Sequence, residues 1–240
     1  MENLDKSTQI LVFKVKDFKE KDKLLQVFSL ELGLVNIIVK NVKTPKSKLK
    51  WLCQPFCFAE VMLSKLGDYY IVTNANLLNS FYETCLDIDK LYSLSNLIVV
   101  IDNILPKNEP SPLIFLNLLK TLQLYNYEEI KFNLVYCKFL LDLLSNVGYK
   151  FNTEICFECK NAFFSSKYLS INSGAIICNN CANEYDIKIN DKVFNYLKLL
   201  EITNFEKLKT IKIDDNCLID LKQIIESYFK IFFNVKFISY

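Results

Sequence analysis

Four of the nine cysteines stand in two closely spaced pairs, Cys156 with Cys159 and Cys178 with Cys181. Each pair encloses two residues, and eighteen residues separate the pairs. This spacing is typical of a site in which four thiolates bind one tetrahedral Zn²⁺. Two redox dithiols or an iron–sulfur cluster are the alternatives, because thiolates also undergo disulfide exchange and bind iron. Four thiolates fill a tetrahedral shell and leave no position for water, so the pattern predicts one structural zinc ion.

The other five cysteines lack this spacing and lie among apolar residues. They are Cys53, Cys57, Cys85, Cys137 and Cys217. Free cysteines in such surroundings behave as small buried hydrophobic side chains. Reduced thiols and an N-terminus without a signal-peptide pattern predict a cytoplasmic protein. The longest aliphatic run, Leu97 to Ile101, is far shorter than the ~18 residues of a membrane span.

Lysines are concentrated in the first third of the chain, and two groups are candidate DNA-binding residues. Five lie within eleven residues that contain no acid, and Trp51 follows them; a second group is interspersed with acids. A lysine run alone indicates a solvated loop, but an acid-free loop beside an aromatic ring favours nucleic acid. The ring of Trp51 also suits a core position. The predicted DNA-binding residues are Lys19, Lys23, Lys40, Lys43, Lys46, Lys48, Lys50 and Trp51.

The composition argues against an enzyme. The chain has no histidine, and all 29 of its basic residues are lysines. Without histidine it lacks the commonest general base and any Ser–His or Cys–His nucleophile pair. The acidic pairs Glu128-Glu129 and Asp214-Asp215 are expected at helix N-termini, where the helix dipole favours them, and not in a nuclease metal site.

Hydrophobic periodicity predicts the elements that position these residues. Alternating apolar segments at 9–16, 34–42, 56–65 and 69–74 predict short strands in a small barrel or sandwich. From about residue 86 leucines recur at helical spacing. Helices are expected at about 91–105, from Pro112 onwards, at 130–147 with Gly148 as the C-terminal cap, at 191–201 and at 214–233.

The chain resembles the RecO family of bacterial recombination mediator proteins at four places, in the family's order. Residues 16–25 resemble the family segment that reads aromatic, Gly-Glu, any residue, Asp, basic, Leu-Leu, with Lys19 where glycine is usual. Residues 40–56 match its basic loop and the Gln-Pro-Phe that follows. Gly148-Tyr149 leads into the four cysteines as in the family's zinc module. Residues 228–237 resemble its terminal helix and tail, without the usual arginines and histidine.

The resemblance implies an α+β, multi-domain protein. The expected domains are an OB-fold β-barrel in residues 1–80, an α-helical domain in 81–150, a four-cysteine zinc module in 151–187, and C-terminal helices in 188–240 that pack on the helical domain. The implied activity is binding of single- and double-stranded DNA, strand annealing, and recombinase loading on coated strands. The implied partners are RecR and the acidic C-terminal tail of single-stranded DNA-binding protein, at the nucleoid and not at a membrane.

A zinc-ribbon RNA-binding or transcription factor is the alternative from another functional class. It would use the same basic barrel and the same four-cysteine module. Competition between single-stranded DNA and RNA separates the two hypotheses.

Overall fold

A computed structural model describes residues 6–67, 69–127, 129–163 and 166–238. Residue contacts divide the chain into two units. The first extends to Leu91 and includes Ile104–Leu122; the second contains Tyr92–Asn103 and continues from Gln123. The finer division into four domains stays a prediction.

Within the described residues of the first unit, five strands close into a barrel. They are β1 (Lys6–Phe18), β2 (Asp22–Ser29), β3 (Gly33–Val39), β4 (Phe58–Leu66) and β5 (Tyr69–Asn79). The strand order around the barrel is β1-β2-β3-β5-β4, and β4 pairs back onto β1. All neighbours are antiparallel except β3 and β5, which are parallel. This is the OB-fold barrel that the family resemblance predicts.

The barrel interior is filled by alternate side chains of every strand, as the two-residue period of a strand requires. In β3, Val35, Ile37 and Val39 point into the core, while Asn36 between them is exposed. The other strands contribute aliphatic residues such as Ile10, Leu25 and Val61. Burial of these side chains from all five strands favours one register, because a slip by one residue would expose them.

The strand β2 is absent from the strands expected from the sequence. Its first residues, Asp22 and Lys23, are charged, and Leu24 and Leu25 are adjacent, so apolar and polar residues do not alternate there. The strand forms because its neighbours on both sides supply a full ladder, to β1 and to β3. The expected strand at 34–42 also ends earlier, at Val39, where the chain turns.

A second apolar layer covers part of the outer barrel surface within the first unit. The rings of Phe28 and Phe115 meet edge to face at 5.4 Å, and Phe13 lies 5.8 Å from Phe28. Phe58 adds a further ring 6.4 Å from Phe115. Phe115, from a helix of the same unit, therefore covers this side of the barrel.

The structure confirms the helices that the leucine periodicity predicts. They are α1 (Tyr82–Leu86), α2 (Ile88–Ile104), α3 (Pro112–Tyr127), α4 (Phe132–Asn146), α5 (Asp191–Ile202) and α6 (Asp215–Phe233). Gly148, with φ +87°, follows α4 and donates its N–H to the Ser145 carbonyl, as predicted for a C-terminal cap. In the part of the chain that the structure describes, no helix is long and apolar enough to cross a membrane.

The acidic pair at Asp214 lies at a helix N-terminus, as expected. Asp214 caps α6 by accepting the N–H of Cys217 at 2.8 Å, and Asp215 is the first residue of the helix. Glu129 precedes α4 by three residues, whereas Glu128 lies outside the described residues.

Between α4 and α5 the chain forms a small antiparallel sheet. Its strands are β6 (Lys167–Leu169), β7 (Ile176–Cys178) and β8 (Ile187–Ile189), in the order β7-β6-β8. The last residue of β7 is Cys178, so this sheet fixes the position of one predicted metal ligand.

The start of β3 packs closely against the segment before α3. Gly33 has φ +70°, and a Cβ added there would overlap the backbone of Glu109. Next to this contact, the Asn108 N–H donates to the Leu34 carbonyl at 3.1 Å. Only glycine allows this approach.

We therefore expect Gly33→Ala to lower the free energy of unfolding by about 3 kcal/mol or more, since left-handed strain and backbone overlap combine. Gly67→Ala is the matched control, because Gly67 has φ +59° with no atom within 4 Å of an added Cβ. It should lose only about 1 kcal/mol. Urea denaturation measures both variants, and equal losses would contradict the assigned cause.

Candidate metal centre and nucleic-acid interface

The four predicted ligands, Cys156, Cys159, Cys178 and Cys181, form one cluster. Their sulfur atoms all lie within 4.8 Å of one another, and the Cys159 and Cys178 sulfurs are 3.8 Å apart. Four sulfurs at ~2.3 Å from a central Zn²⁺ would be separated by ~3.8 Å along each tetrahedral edge. The sulfur positions therefore fit a tetrahedral metal ion, and the cluster could bind one.

Each pair of cysteines is held by a tight backbone turn. In the first turn, the Lys160 N–H donates to the Cys156 carbonyl at 3.0 Å, and Lys160 adopts φ +60°. In the second, the Cys181 N–H donates to the Cys178 carbonyl at 3.0 Å. The two-residue spacing of each pair is what allows both sulfurs to face the same side.

The two turns are joined by the strand β7. The Phe157 N–H donates to the Ile176 carbonyl at 3.1 Å, and the Cys178 N–H donates to the Cys156 sulfur at 3.3 Å. Burial is uneven, because Cys156 is buried whereas Cys159 is exposed. Access to the cluster is therefore from the Cys159 side.

Local hydrogen bonds favour thiolate formation at Cys156. Burial alone would raise the pKa of its thiol, but backbone N–H groups, of Cys159 first and then of Cys178 and Glu158, lower that pKa to about 6. The hydrogen bond with Cys178 is the largest cause that raises the pKa of the Cys181 thiol to about 12. Four thiolates this close together repel one another, so a bound cation would favour full deprotonation of the cluster.

Three of the five remaining cysteines are buried, as predicted, and the other two are only half-buried. Cys57, Cys137 and Cys217 are buried, and Cys53 and Cys85 are half-buried. Burial raises the pKa of the Cys57 thiol to about 12 and also raises the pKa values of Cys53 and Cys85. These protonated thiols are weak nucleophiles.

Two lysine-bearing segments of the barrel unit meet in space. One is the turn 19–21 between β1 and β2; the other is the start of the loop that follows β3. The Lys43 N–H donates to the Lys21 carbonyl at 3.1 Å, and the Lys43 ammonium donates to the Lys19 carbonyl at 3.4 Å. Lys23, half-buried in β2, lies opposite Val39 in the adjoining ladder. The two lysine groups identified from the sequence thus form one surface.

Acidic residues in this surface hold its two segments together. The Asp17 carboxylate lies 3.2 Å from the Lys43 ammonium, and Asp22 accepts the N–H of Asn41 at 2.8 Å. Lys43 is consequently occupied by local contacts and contributes less positive charge to the solvent than the sequence suggested.

The other lysines of the loop point into solvent. Lys40, Lys46 and Lys48 are exposed and have no ion pair with any described residue, and Lys50 donates to the Pro45 carbonyl at 3.3 Å. Trp51 belongs to a short 3₁₀ helix, Lys50–Leu52, and its half-buried ring packs against the barrel core. The lysine loop is therefore anchored by its tryptophan.

Two aromatic residues near these lysines were not among the predicted site residues. Phe18, at the end of β1, and Tyr69, at the start of β5, have ring centroids 6.2 Å apart. The Lys19 ammonium lies 5.4 Å from the Phe18 ring centroid. The sequence signal for Phe18 is its place directly before the lysine turn, but its pairing with Tyr69 is a tertiary contact.

Comparison with known protein families covers nearly the whole chain. Residues 1–81 match the family model described as recombination protein O N terminal, and residues 85–231 match recombination protein O C terminal. The first model covers the five barrel strands, and the second covers most of the helical residues and all four clustered cysteines.

Curated relatives match over similar lengths. A protein of Clostridium perfringens strain 13, named DNA repair protein RecO, is 30% identical over 214 residues, covering 89% of this chain and 87% of the relative. A protein of the same name from Clostridium novyi is 27% identical over 221 residues, 92% of this chain and 86% of its own. Because the two family models together cover most of the chain and one relative is 30% identical over 89% of it, the chain belongs to the RecO family.

Proposed function

We propose that this protein is a recombination mediator in DNA repair. It binds single- and double-stranded DNA, anneals complementary strands, and assists recombinase loading on strands coated by single-stranded DNA-binding protein. Family membership supports the role, and the curated relatives carry the name DNA repair protein RecO. The domain division at about residues 80, 150 and 187 is part of this proposal.

One observation carries the DNA-binding proposal: the two lysine groups of the barrel unit are joined into one surface. Lys43 connects them through the Lys19 and Lys21 carbonyls. The proposed contacts are Lys19, Lys23, Lys40, Lys43, Lys46, Lys48 and Lys50, with the exposed part of Trp51 as a stacking surface. Exposed ammonium groups attract phosphates without reading sequence.

The absence of arginine determines the kind of recognition. A bidentate guanidinium contact to guanine is unavailable to this chain, and each lysine acts as a point charge. We therefore expect little sequence preference. Single strands are favoured, because their flexible backbone follows a lysine surface and their bases are free to stack.

The metal in this proposal is one structural Zn²⁺ held by Cys156, Cys159, Cys178 and Cys181. The zinc would supply folding energy to the module between α4 and α5 and would polarise no substrate, because four thiolates fill its shell. The protein acts by binding, without covalent turnover, since its sequence offers no histidine to pair with a nucleophile.

The proposed protein partners are RecR and the acidic, aromatic-ended tail of single-stranded DNA-binding protein, in the cytoplasm at the nucleoid. The second unit leaves apolar side chains exposed at helix ends, among them Tyr127 at 62% and Ile202 at 78%. Exposed apolar side chains are suited to bind the aromatic end of such a peptide.

The salt dependence of DNA binding tests the lysine surface. If the five loop lysines each meet one phosphate, the slope of log affinity against log salt should be roughly −3 to −4 on single strands. Replacing Lys46, Lys48 and Lys50 with alanine should reduce that slope by about 2 and weaken all sequences alike. Fluorescence anisotropy titrations at salt concentrations from about 50 to about 200 mM measure the slope for the wild type and for the variant.

The matched control replaces Lys188, Lys207 and Lys212, three exposed lysines of the second unit, with alanine. Both triple variants lose three positive charges. If the control variant keeps the wild-type salt slope, the reduction in the loop variant is due to the loop lysines. An unchanged slope in the loop variant would show that the loop is only solvated. Preferential competition by single-stranded RNA would instead favour the RNA-binding alternative.

Metal content tests the cysteine cluster. The purified chain should carry one zinc, and Cys156→Ser should lose it and destabilise the module by roughly several kcal/mol. Cys85→Ser, which removes a half-buried thiol outside the cluster, should retain the zinc. Elemental analysis and thermal unfolding with a chelator measure these effects. Iron with visible absorbance, or no metal at all, would refute the assignment.

A tail-peptide titration tests the partner proposal. A fluorescent peptide with the acidic, aromatic-ended sequence should bind the full chain saturably at low salt. Removal of its terminal aromatic residue should abolish binding, because apolar burial supplies the specificity and charge alone does not. Equal binding of both peptides, or no saturation by either, would exclude the proposed interaction.

A further inference from the structure

An aromatic pair stands at the end of the barrel that carries the lysine surface. The Phe18 and Tyr69 rings are 6.2 Å apart and inclined by 42°. Tyr69 remains 38% exposed, and among the described residues no hydrogen bond to its hydroxyl is found. Part of the Tyr69 ring is therefore open to solvent, whereas Phe18 beside it is half-buried.

Strand alternation places both rings on the outer surface of the barrel. In the β1–β2 ladder, Val15 lies opposite Leu25, which is a core residue, so Phe18, three positions on, has the outward parity. In β5, Tyr70 packs against the core, which gives the outward position to Tyr69. Since β1 and β5 are not neighbours in the barrel, the 6.2 Å contact places the two rings at the barrel end, beside the β1–β2 and β4–β5 turns.

OB-folds use the same two turns to border their ligand site. Oligonucleotides lie across strands 2 and 3 between the loop joining strands 1 and 2 and the loop joining strands 4 and 5. Phe18 directly precedes the first of these turns, and Tyr69 lies just after Gly67 in the second. The pair thus lies beside both turns that border the ligand site of an OB-fold.

Positive charge continues from the pair into the lysine surface. The Lys19 ammonium lies 5.4 Å from the Phe18 centroid, and the Lys19 carbonyl accepts a hydrogen bond from Lys43. Lys16, two residues before Phe18, is exposed on the same side of β1 as Phe18. A phosphate held by these ammonium groups would leave its base within reach of the rings.

We infer that Phe18 and Tyr69 form a base-stacking site that makes the barrel select single-stranded over double-stranded DNA. This inference rests on the proposed DNA-binding function and adds residues to it. The bases of a duplex are already stacked and paired, so only an unpaired base offers its face to the rings. The lysines can bind the phosphates of single- and double-stranded DNA, whereas the aromatic pair can stack only on the bases of single strands.

Replacing the ring while retaining an apolar side chain separates stacking from packing. Tyr69→Leu and Phe18→Leu should each weaken single-strand binding by about 5- to 150-fold. Duplex affinity and the single-strand salt slope should stay unchanged, because no phosphate contact is lost. Tyr69→Phe should bind as the wild type does, since it keeps the aromatic face.

The matched control is Tyr82→Leu, which removes another exposed tyrosine of the first unit, 61% exposed on α1. It should leave both affinities unchanged. Wild-type protein should also form a photo-cross-link between an iodouracil oligonucleotide and Phe18 or Tyr69, a measurement that does not depend on any variant folding.

The outcomes distinguish this inference from the function on which it rests. Wild-type protein that binds no single-stranded DNA would overturn both. If Tyr69→Leu and Phe18→Leu keep the wild-type affinity for single strands, or if their duplex affinity falls equally, only the stacking site is overturned. Cross-links confined to other residues would do the same.

Discussion

Closure of the barrel by the β1–β4 ladder is the constraint on which the nucleic-acid surface depends. Lys6 to Leu11 of β1 pair with Phe58 to Leu63 of β4, so the first and fourth strands have fixed positions relative to each other. The long loop after β3 must then return to the barrel at a set point, where the Phe56 N–H donates to the Val12 carbonyl and the Val12 N–H donates to the Cys57 carbonyl. The lysines between these points therefore lie in a loop whose two ends are fixed by the barrel.

The cysteine cluster depends on a different, more local kind of organisation. Each cysteine pair is positioned by its own turn, and a few hydrogen bonds from N–H groups to carbonyls and to one sulfur join the two turns. A module with so few buried apolar residues obtains little stability from its core. A bound metal would therefore contribute a large share of its folding energy.

These two kinds of organisation explain what the sequence could predict. The clustering of the four cysteines follows from their spacing, and the helices follow from leucines at helical intervals; the structure confirms both, while zinc binding stays a prediction. The strand β2 was not predicted, because its apolar and polar residues do not alternate regularly. It forms because β1 and β3 both pair with it through backbone hydrogen bonds. The contact of Phe18 with Tyr69 joins residues 51 positions apart, and only the closed barrel brings them together. The attachment of Lys43 to Asp17 is likewise tertiary, and it alters the role of a lysine that composition alone counts as free.

The acids among the lysines change how the charge of this surface should be counted. Asp17 and Asp22 oppose an anionic ligand by Coulomb repulsion, yet they fix the β1–β2 turn to the segment after β3. Neutralising them to strengthen attraction would give a more positive but less ordered surface, and ordering it on binding would then cost conformational entropy. For an engineer seeking tighter binding, additional lysines around the intact turn are a better choice than removal of these carboxylates.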